Sequence, residues 1–340
     1  MWKSIPIYTD HDEKYRADSC KPLLDAAAAG HLELAVISHG HYPGHSLPAE
    51  VLPGLKMFGF WDARHEQNWG LQWHRNEGIE FTFLESGSVE FASPEQRHTL
   101  RCNDLAIVRP WQRHCVGSPC ITPSRLHWLL LDVGVRRPHQ DWKLPPWLVL
   151  SPADISEVTK ILRQNEQLVW KTNPEIRRCF QALARLTLAD SNGSNLSRIG
   201  LAVNELFLLI LEMLRQQDVS LDDSLVTSRR TVQLFLDDLR AHPEHLELDW
   251  SIEKMAASCG LGLTQFIHHV KSLVNLTPLH YLVQCRIDFA ATQLRKESAA
   301  RITDIALQCG FGSSQYFATV FTRRMGCSPR EYRAKNRSGS

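Results

Sequence analysis

Between residue 1 and about residue 145, apolar side chains come in short alternating runs. Ile79-Glu-Phe-Thr-Phe-Leu84, Ser88-Val-Glu-Phe91 and Leu105-Ala-Ile-Val108 read as strands, as does His127-Trp-Leu-Leu-Leu-Asp-Val133. The segments Glu85-Ser-Gly-Ser88 and Arg101-Cys-Asn-Asp104 between them read as turns. Several short strands at this spacing predict a small sandwich or barrel. From about Pro152 the period changes. Ile155, Val158, Ile161 and Leu162 recur at helical spacing, followed by Phe180, Leu183 and Leu186/Thr187.

After the Ser191-Asn-Gly-Ser-Asn195 break, residues 196–215 form a helical stretch that is apolar nearly all round. One side is expected to meet the barrel and another a second subunit. Residues 217–228 are polar and acidic and read as a linker, and everything beyond is again helical in pattern. The expected fold class is α+β with two domains. A barrel over 1–150 precedes a helical dimerisation and connector region over 151–217, a linker over 218–228 and an all-α domain over 229–335.

The strongest single pattern is an internal repeat with a period of 50 residues. Ile252, Met255, Ala256 and Cys259 form an i, i+3, i+4, i+7 stripe followed by Gly260-Leu-Gly262. Ile302, Ile305, Ala306 and Cys309 form the same stripe, followed by Gly310-Phe-Gly312. Each predicts a short amphipathic helix stopped by a glycine that can enter the left-handed region. Second helices follow over Thr264–Val274 and Ser314–Met325, each opened by a hydroxyl residue able to cap it. Short helix, glycine turn and second helix is the helix-turn-helix layout, expected here at about 251–274 and 302–325.

On the second helices Phe266, Val270 and Leu273, and Phe317, Val320 and Phe321, are expected to face a core. The opposite faces carry Thr264, Gln265, His268 and Lys271 in the first unit and Ser314, Gln315, Thr319 and Arg323 in the second. Ile267 and Ser313 flank them. These side chains have the reach and donors for base edges and phosphates in a major groove of double-stranded DNA. A periodic stretch from Pro278 to about Leu294 joins the units as a helix of about 25 Å, so that one chain reaches two successive groove segments.

Charge supports a polyanion partner for the C-terminal part alone. From Ser228 onward there are 15 Lys/Arg against 10 Asp/Glu, so this part is basic within a chain whose net charge is only +1. The nine cysteines form no Cys-x-x-Cys pair. The opening segment is too polar for a signal peptide, and no apolar run reaches the length of a membrane span. Together these predict a cytoplasmic protein with reduced thiols.

The run Arg301-Ile-Thr-Asp-Ile-Ala-Leu-Gln-Cys-Gly-Phe-Gly-Ser-Ser-Gln-Tyr-Phe-Ala-Thr-Val-Phe-Thr-Arg-Arg-Met-Gly-Cys-Ser-Pro-Arg-Glu-Tyr-Arg333 closely resembles the signature of AraC/XylS-type transcriptional regulators. Thr277-Pro278 and Arg286-Ile287 resemble the more variable half of that family's DNA-binding domain. The resemblance implies a seven-helix DNA-binding domain joined to an N-terminal effector-binding and dimerising domain. It further implies RNA polymerase as a partner, a homodimer, and activation more often than repression. Where the family often has an Arg on each recognition helix, this chain has His268 and Thr319, while Lys271 and Arg323 match its phosphate-contacting positions.

In the N-terminal part, His74, Glu80 and Gly87 followed by Asn103-Asp104 and Pro110-Trp-Gln-Arg-His114 resemble a degraded cupin barrel, a sensor common in the same family. The effector is expected at Trp73, His74, Glu80, Trp111 and His114. Trp61 and Trp69 add flat aromatic faces suited to a small carbohydrate. Nothing in the sequence demands a cofactor. The alternative is a metal-dependent cupin enzyme fused to a DNA-binding domain, with His74, Glu80 and His114 as its metal ligands.

Overall fold

The computed structural model describes residues 7–10, 13–16, 20–40, 42–76, 78–110, 112–135, 139–190, 193–241, 243–296 and 300–337. The chain divides into two compact units, Met1–Val226 and Thr227–Ser340. The first opens with a two-stranded hairpin, β1 (Ile7–Asp10) and β2 (Glu13–Arg16), and helix α1 (Lys21–Ala28). Strands β3 (Glu33–Ser38), β4 (His45–Ser46), β5 (Leu55–Ala63), β6 (Leu71–His74), β7 (Ile79–Ala92) and β8 (Arg97–Arg101) follow. Then come β9 (Asp104–Val108), β10 (His114–Val116), β11 (Ser124–Leu131), α2 (Pro152–Arg163), β12 (Val169–Lys171), α3 (Pro174–Ala189) and α4 (Leu196–Arg215).

Ten of these strands form one sheet in the order β12-β9-β7-β11-β5-β3-β4, with β8 and β10 added on β7 and β6 on β10. Strand β7 organises it. Its first half pairs with β9 and β11 and its second half with β8 and β10. The expected turn at Glu85-Ser-Gly-Ser88 is instead the middle of this 14-residue strand. Gly87 takes φ +83°, and the register against β11 slips beside Glu85, so the chain bulges and bends without breaking the ladder. A Cβ at Gly87 would lie 2.0 Å from the Pro123 carbonyl oxygen, which leaves room only for glycine.

Strand alternation sorts the side chains onto two faces. Ile79, Phe81 and Phe83 of β7 and Leu129 and Leu131 of β11 pack against α2, α3 and α4. Leu84, Leu126, Trp128 and Leu130 point the other way, into a second core with Trp61 and Phe91. Glu80 and Thr82, four and two residues before Leu84, share its side of the strand.

The bulge also anchors α3. Glu85 accepts hydrogen bonds from His127 Nε2 and Gln181 Nε2, both at 2.7 Å, with Arg125 at 3.2 Å and Arg177 at 3.7 Å. The His127 hydrogen bond holds the Glu85 carboxyl down at about 2 against the opposing effect of its partial burial. Burial among Phe60, Phe83 and Phe180 lowers the His127 pKa despite the carboxylate beside it.

Helix α4 has the predicted bounds, and its buried face includes Ile199, Val203, Leu206, Phe207, Ile210 and Leu214. Leu209 also packs against this core, while Leu201 (71% exposed) and Leu208 remain outside. The stretch expected as a linker is tethered to the first unit. Asp222 N donates to Gln164 O, Asn165 Nδ2 donates to Ser220 O, and Leu225 of a 3-10 turn over Asp223–Val226 is buried.

The second unit has seven α-helices among its described residues: α5 (Ser228–Ala241), α6 (Ile252–Ser258), α7 (Leu263–Val274), α8 (Pro278–Lys296), α9 (Ile302–Gln308), α10 (Ser314–Met325) and α11 (Pro329–Arg337). They surround two separate cores that share α8. Tyr281, Leu282 and Cys285 enter the first core with Phe266 and Val270, whereas Ile287, Ala290 and Leu294 enter the second with Phe317 and Phe321. Helix α8 has 19 residues, hence a length of about 28 Å. None of the helices among the described residues is long and apolar enough to cross a membrane.

Candidate functional site

The two glycine stops of the sequence repeat are closed by the same pair of hydrogen bonds. At the end of α6, Gly260 N donates to Ala257 O at 2.7 Å and Leu261 N to Ala256 O at 3.0 Å. At the end of α9, Gly310 N donates to Leu307 O at 2.8 Å and Phe311 N to Ala306 O at 3.0 Å. Both are Schellman stops, with the glycines at φ +62° and +77°. Each stop turns the chain into the following helix, α7 or α10, whose Phe266 or Phe317 is fully buried in its own core.

Burying those phenylalanines dictates what remains outside. On α7, Thr264, Gln265, His268 and Lys271 are exposed and Ile267 is half-buried. On α10, Gln315, Thr319 and Arg323 are exposed, with Ser313 and Ser314 half-buried. Capping differs from the expectation. Gly262, not Thr264, precedes α7 and offers no side-chain cap, while Ser313, one residue ahead of Ser314, accepts from Tyr316 N at 3.2 Å. The Thr319 hydroxyl donates back to Gln315 O at 3.0 Å. Tyr316 was not singled out in the sequence, yet it is 55% exposed beside Gln315. Its position one residue before buried Phe317 was the available signal.

The two helix-turn-helix units are joined through a half-buried arginine. Arg286 of α8 donates from Nε to Leu246 O at 2.9 Å and from Nη2 to Leu248 O at 3.0 Å, both in the loop that leads into α6. The Gly310 turn of the second unit sits against the same groups. A Cβ there would lie 2.2 Å from Leu246 O and 2.7 Å from Arg286 Nη2. Burial lowers the Arg286 pKa, but its carbonyl partners keep its donors occupied.

Similarity to known proteins decides the family. A model described as a helix-turn-helix domain matches residues 255–335. The HTH-type transcriptional activator RhaS of Escherichia coli is 35% identical over 269 residues, covering 76% of this chain and 86% of RhaS. The chain belongs to the AraC/XylS family. RhaS from another Escherichia coli strain is 26% identical over the same length. Among solved structures, an apo variant of ToxT from Vibrio cholerae is 13% identical, covers 81% of this chain and 96% of its own, and has a TM-score of 0.35. The C-terminal domain of AraT from Geobacillus stearothermophilus is 25% identical and covers 31% of this chain and 84% of its own, at a TM-score of 0.29. As an AraC/XylS member matched along three quarters of its length by transcriptional activators, the chain is a DNA-binding transcription regulator and not an enzyme.

In the first unit the structure brings together three of the five expected effector residues. His74 on β6, Glu80 on β7 and His114 on β10 place their ligating atoms within 4.8 Å of one another. Glu80 and His114 are buried and His74 is half-buried. Burial pushes the Glu80 carboxyl up, but the charge and hydrogen bond of His114, with His74 and Thr82, outweigh it and bring the value to about 2. Trp73 is 38% exposed, and the Arg113 guanidinium lies 5.2 Å over its ring. Trp111 lies outside the described residues. The aromatic cluster is not one surface. Trp61 is buried against Trp128 in the core, while Trp69 lines a separate surface cleft of about 350 Å³ with Lys21, Asp25, His31 and Asn68.

Proposed function

We propose that this regulator reads an operator through α7 and α10 together. Gln265 and His268, and Ser314, Gln315 and Thr319, approach base edges, while Lys271 and Arg323 approach phosphates, with Thr264, Ile267 and Ser313 at the margins of the contact. The observation that carries this reading is the pair of matched glycine stops, each presenting an exposed polar helix face on the opposite side from a buried phenylalanine. Ile267 and His268 on α7 suit thymine methyls and hydrogen-bonding edges, respectively, so the two units read unlike half-sites.

The first unit is the sensor in this reading, taking a small-molecule effector, with carbohydrate as the class that fits Trp73, His74, Glu80, His114 and Trp111. The protein acts in the cytoplasm as a homodimer, with the exposed leucines of α4 as the contact. It activates transcription, as the name of its relative RhaS states for that protein, and its partner in doing so is RNA polymerase.

The test is fluorescence anisotropy of the full chain on duplexes from its own upstream region and on random duplex. Gln315→Ala is expected to lower the ratio of specific to random affinity, by the roughly 1–3 kcal/mol of one base contact. Arg323→Ala is expected to weaken both duplexes alike and to reduce the salt slope by about 1. Equal losses on both duplexes for Gln315→Ala would remove its base-reading role.

A further inference from the structure

The three side chains His74, Glu80 and His114 meet because β10 lies across both β6 and β7, with His114 and His74 as direct cross-strand partners. Their ring centroids are 4.2 Å apart. In each ring Nδ1 contacts a backbone carbonyl, Gln72 O at 2.6 Å for His74 and Gln112 O at 3.0 Å for His114. A carbonyl oxygen only accepts, so Nδ1 carries a proton in both rings, and whenever a ring is neutral its Nε2 is left with the lone pair, directed away from that carbonyl.

His114 Nε2 lies 3.2 Å from Glu80 Oε2, so for a neutral ring two acceptors face each other. Such a contact is repulsive unless a positive charge occupies it, either a second proton on the imidazole or a bound cation. Glu80 is itself oriented from behind, by Thr82 Oγ1 donating to Oε1 at 2.7 Å and by Asn76 Nδ2 donating to Oε2. Histidines fixed in one tautomer by carbonyls and a carboxylate fixed by neighbouring donors form the outer layer that metal centres require.

We propose that the first unit binds one divalent first-row transition-metal ion through His74 Nε2, His114 Nε2 and the Glu80 carboxylate. Two imidazoles and one carboxylate favour zinc, cobalt, iron or manganese over calcium and magnesium, which prefer all-oxygen sets. Bonds of about 2.0–2.2 Å place ligand atoms some 3–3.4 Å apart, so the site closes by roughly an ångström when filled. Because the ligands come from β6, β7 and β10, a bound ion staples three strands and stabilises the first unit by mass action. The proposal does not depend on an organic effector and is tested without one.

The full chain, stripped with a chelator, is incubated with cobalt(II) and freed of excess by gel filtration. Bound metal, the visible spectrum and Tm are then read. One cobalt per chain is expected, with a ligand-field spectrum lacking a thiolate charge-transfer band, and with a raised Tm. The spectrum separates this site from the nine cysteines. His114 is fully buried, so the primary variants are His74→Ala, at a half-buried position, and Glu80→Gln, an isostere. With circular dichroism matching the parent, both are expected to lose bound cobalt and the Tm rise. A parent that retains no cobalt would leave only an imidazolium–carboxylate pair and overturn the proposal. A His74→Ala protein that retains as much cobalt as the parent, or a thiolate spectrum, would overturn it too.

Discussion

Gly310 and Gly326 both end a helix of the second helix-turn-helix unit in the left-handed region, at φ +77° and +74°. Their surroundings differ. A Cβ on Gly326 meets nothing within 4 Å, whereas one on Gly310 lies 2.2 Å from Leu246 O and 2.7 Å from Arg286 Nη2. Gly326→Ala therefore carries only the backbone cost of a left-handed alanine, about 1–2 kcal/mol. Gly310→Ala carries that cost and also displaces Leu246 O, the acceptor of the Arg286 Nε–H bond at 2.9 Å. A hydrogen bond to a charged group contributes about 1.5–3 kcal/mol, so the expected total is about 2.5–5 kcal/mol. The assay is urea unfolding of the full chain followed by far-UV ellipticity, with both variants beside the parent. Equal destabilisation of the two, within about 0.5 kcal/mol, would refute the claim that Arg286 and the Gly310 turn form one joint.

Two further outcomes follow from the first unit. The folded pKa of Glu85 lies below its ordinary 4.5, at about 2, so its contribution is present above pH 4.5 and is lost as pH falls toward 2. His127, buried and lowered from 6.5, begins to cost stability once pH falls below that value. The Tm of the first unit is thus expected to fall from about pH 6.5 downward, with a shallower limb below pH 4.5 in Glu85→Gln. The groups facing this pair are Arg125, Arg177 and Gln181. A parent Tm that is flat between pH 7 and 3 would contradict the assignment. For the proposed dimer, Leu201→Glu combined with Leu208→Glu should yield monomers in sedimentation without loss of Tm, since both side chains are exposed. An intact dimer would move the interface elsewhere.

Much of the second unit is legible in the sequence alone. The 50-residue repeat, the burial of Phe266 and Phe317 and the exposed faces of α7 and α10 all follow from a helical period and two glycine stops. Those signals are local, because a helix closes its hydrogen bonds within four residues. The bounds of α4 were legible for the same reason. Its outward positions were not, because an all-round apolar helix does not reveal which leucines its neighbours cover; Leu209 is packed, whereas Leu201 and Leu208 are outside.

What the tertiary structure decided is wherever partners lie far apart in the chain. Glu85-Ser-Gly-Ser88 has turn composition, yet β11 and β8 supply ladder partners on both sides and make it strand, with Gly87 absorbing the bend. Trp61 has the chemistry of a binding-site aromatic but is core, because the alternation of β5 turns it inward. The sequence alone could list His74, Glu80 and His114 and could not say that they converge. Their meeting depends on β10 pairing with both β6 and β7, with residues about 40 and about 25 positions away, which no local period encodes.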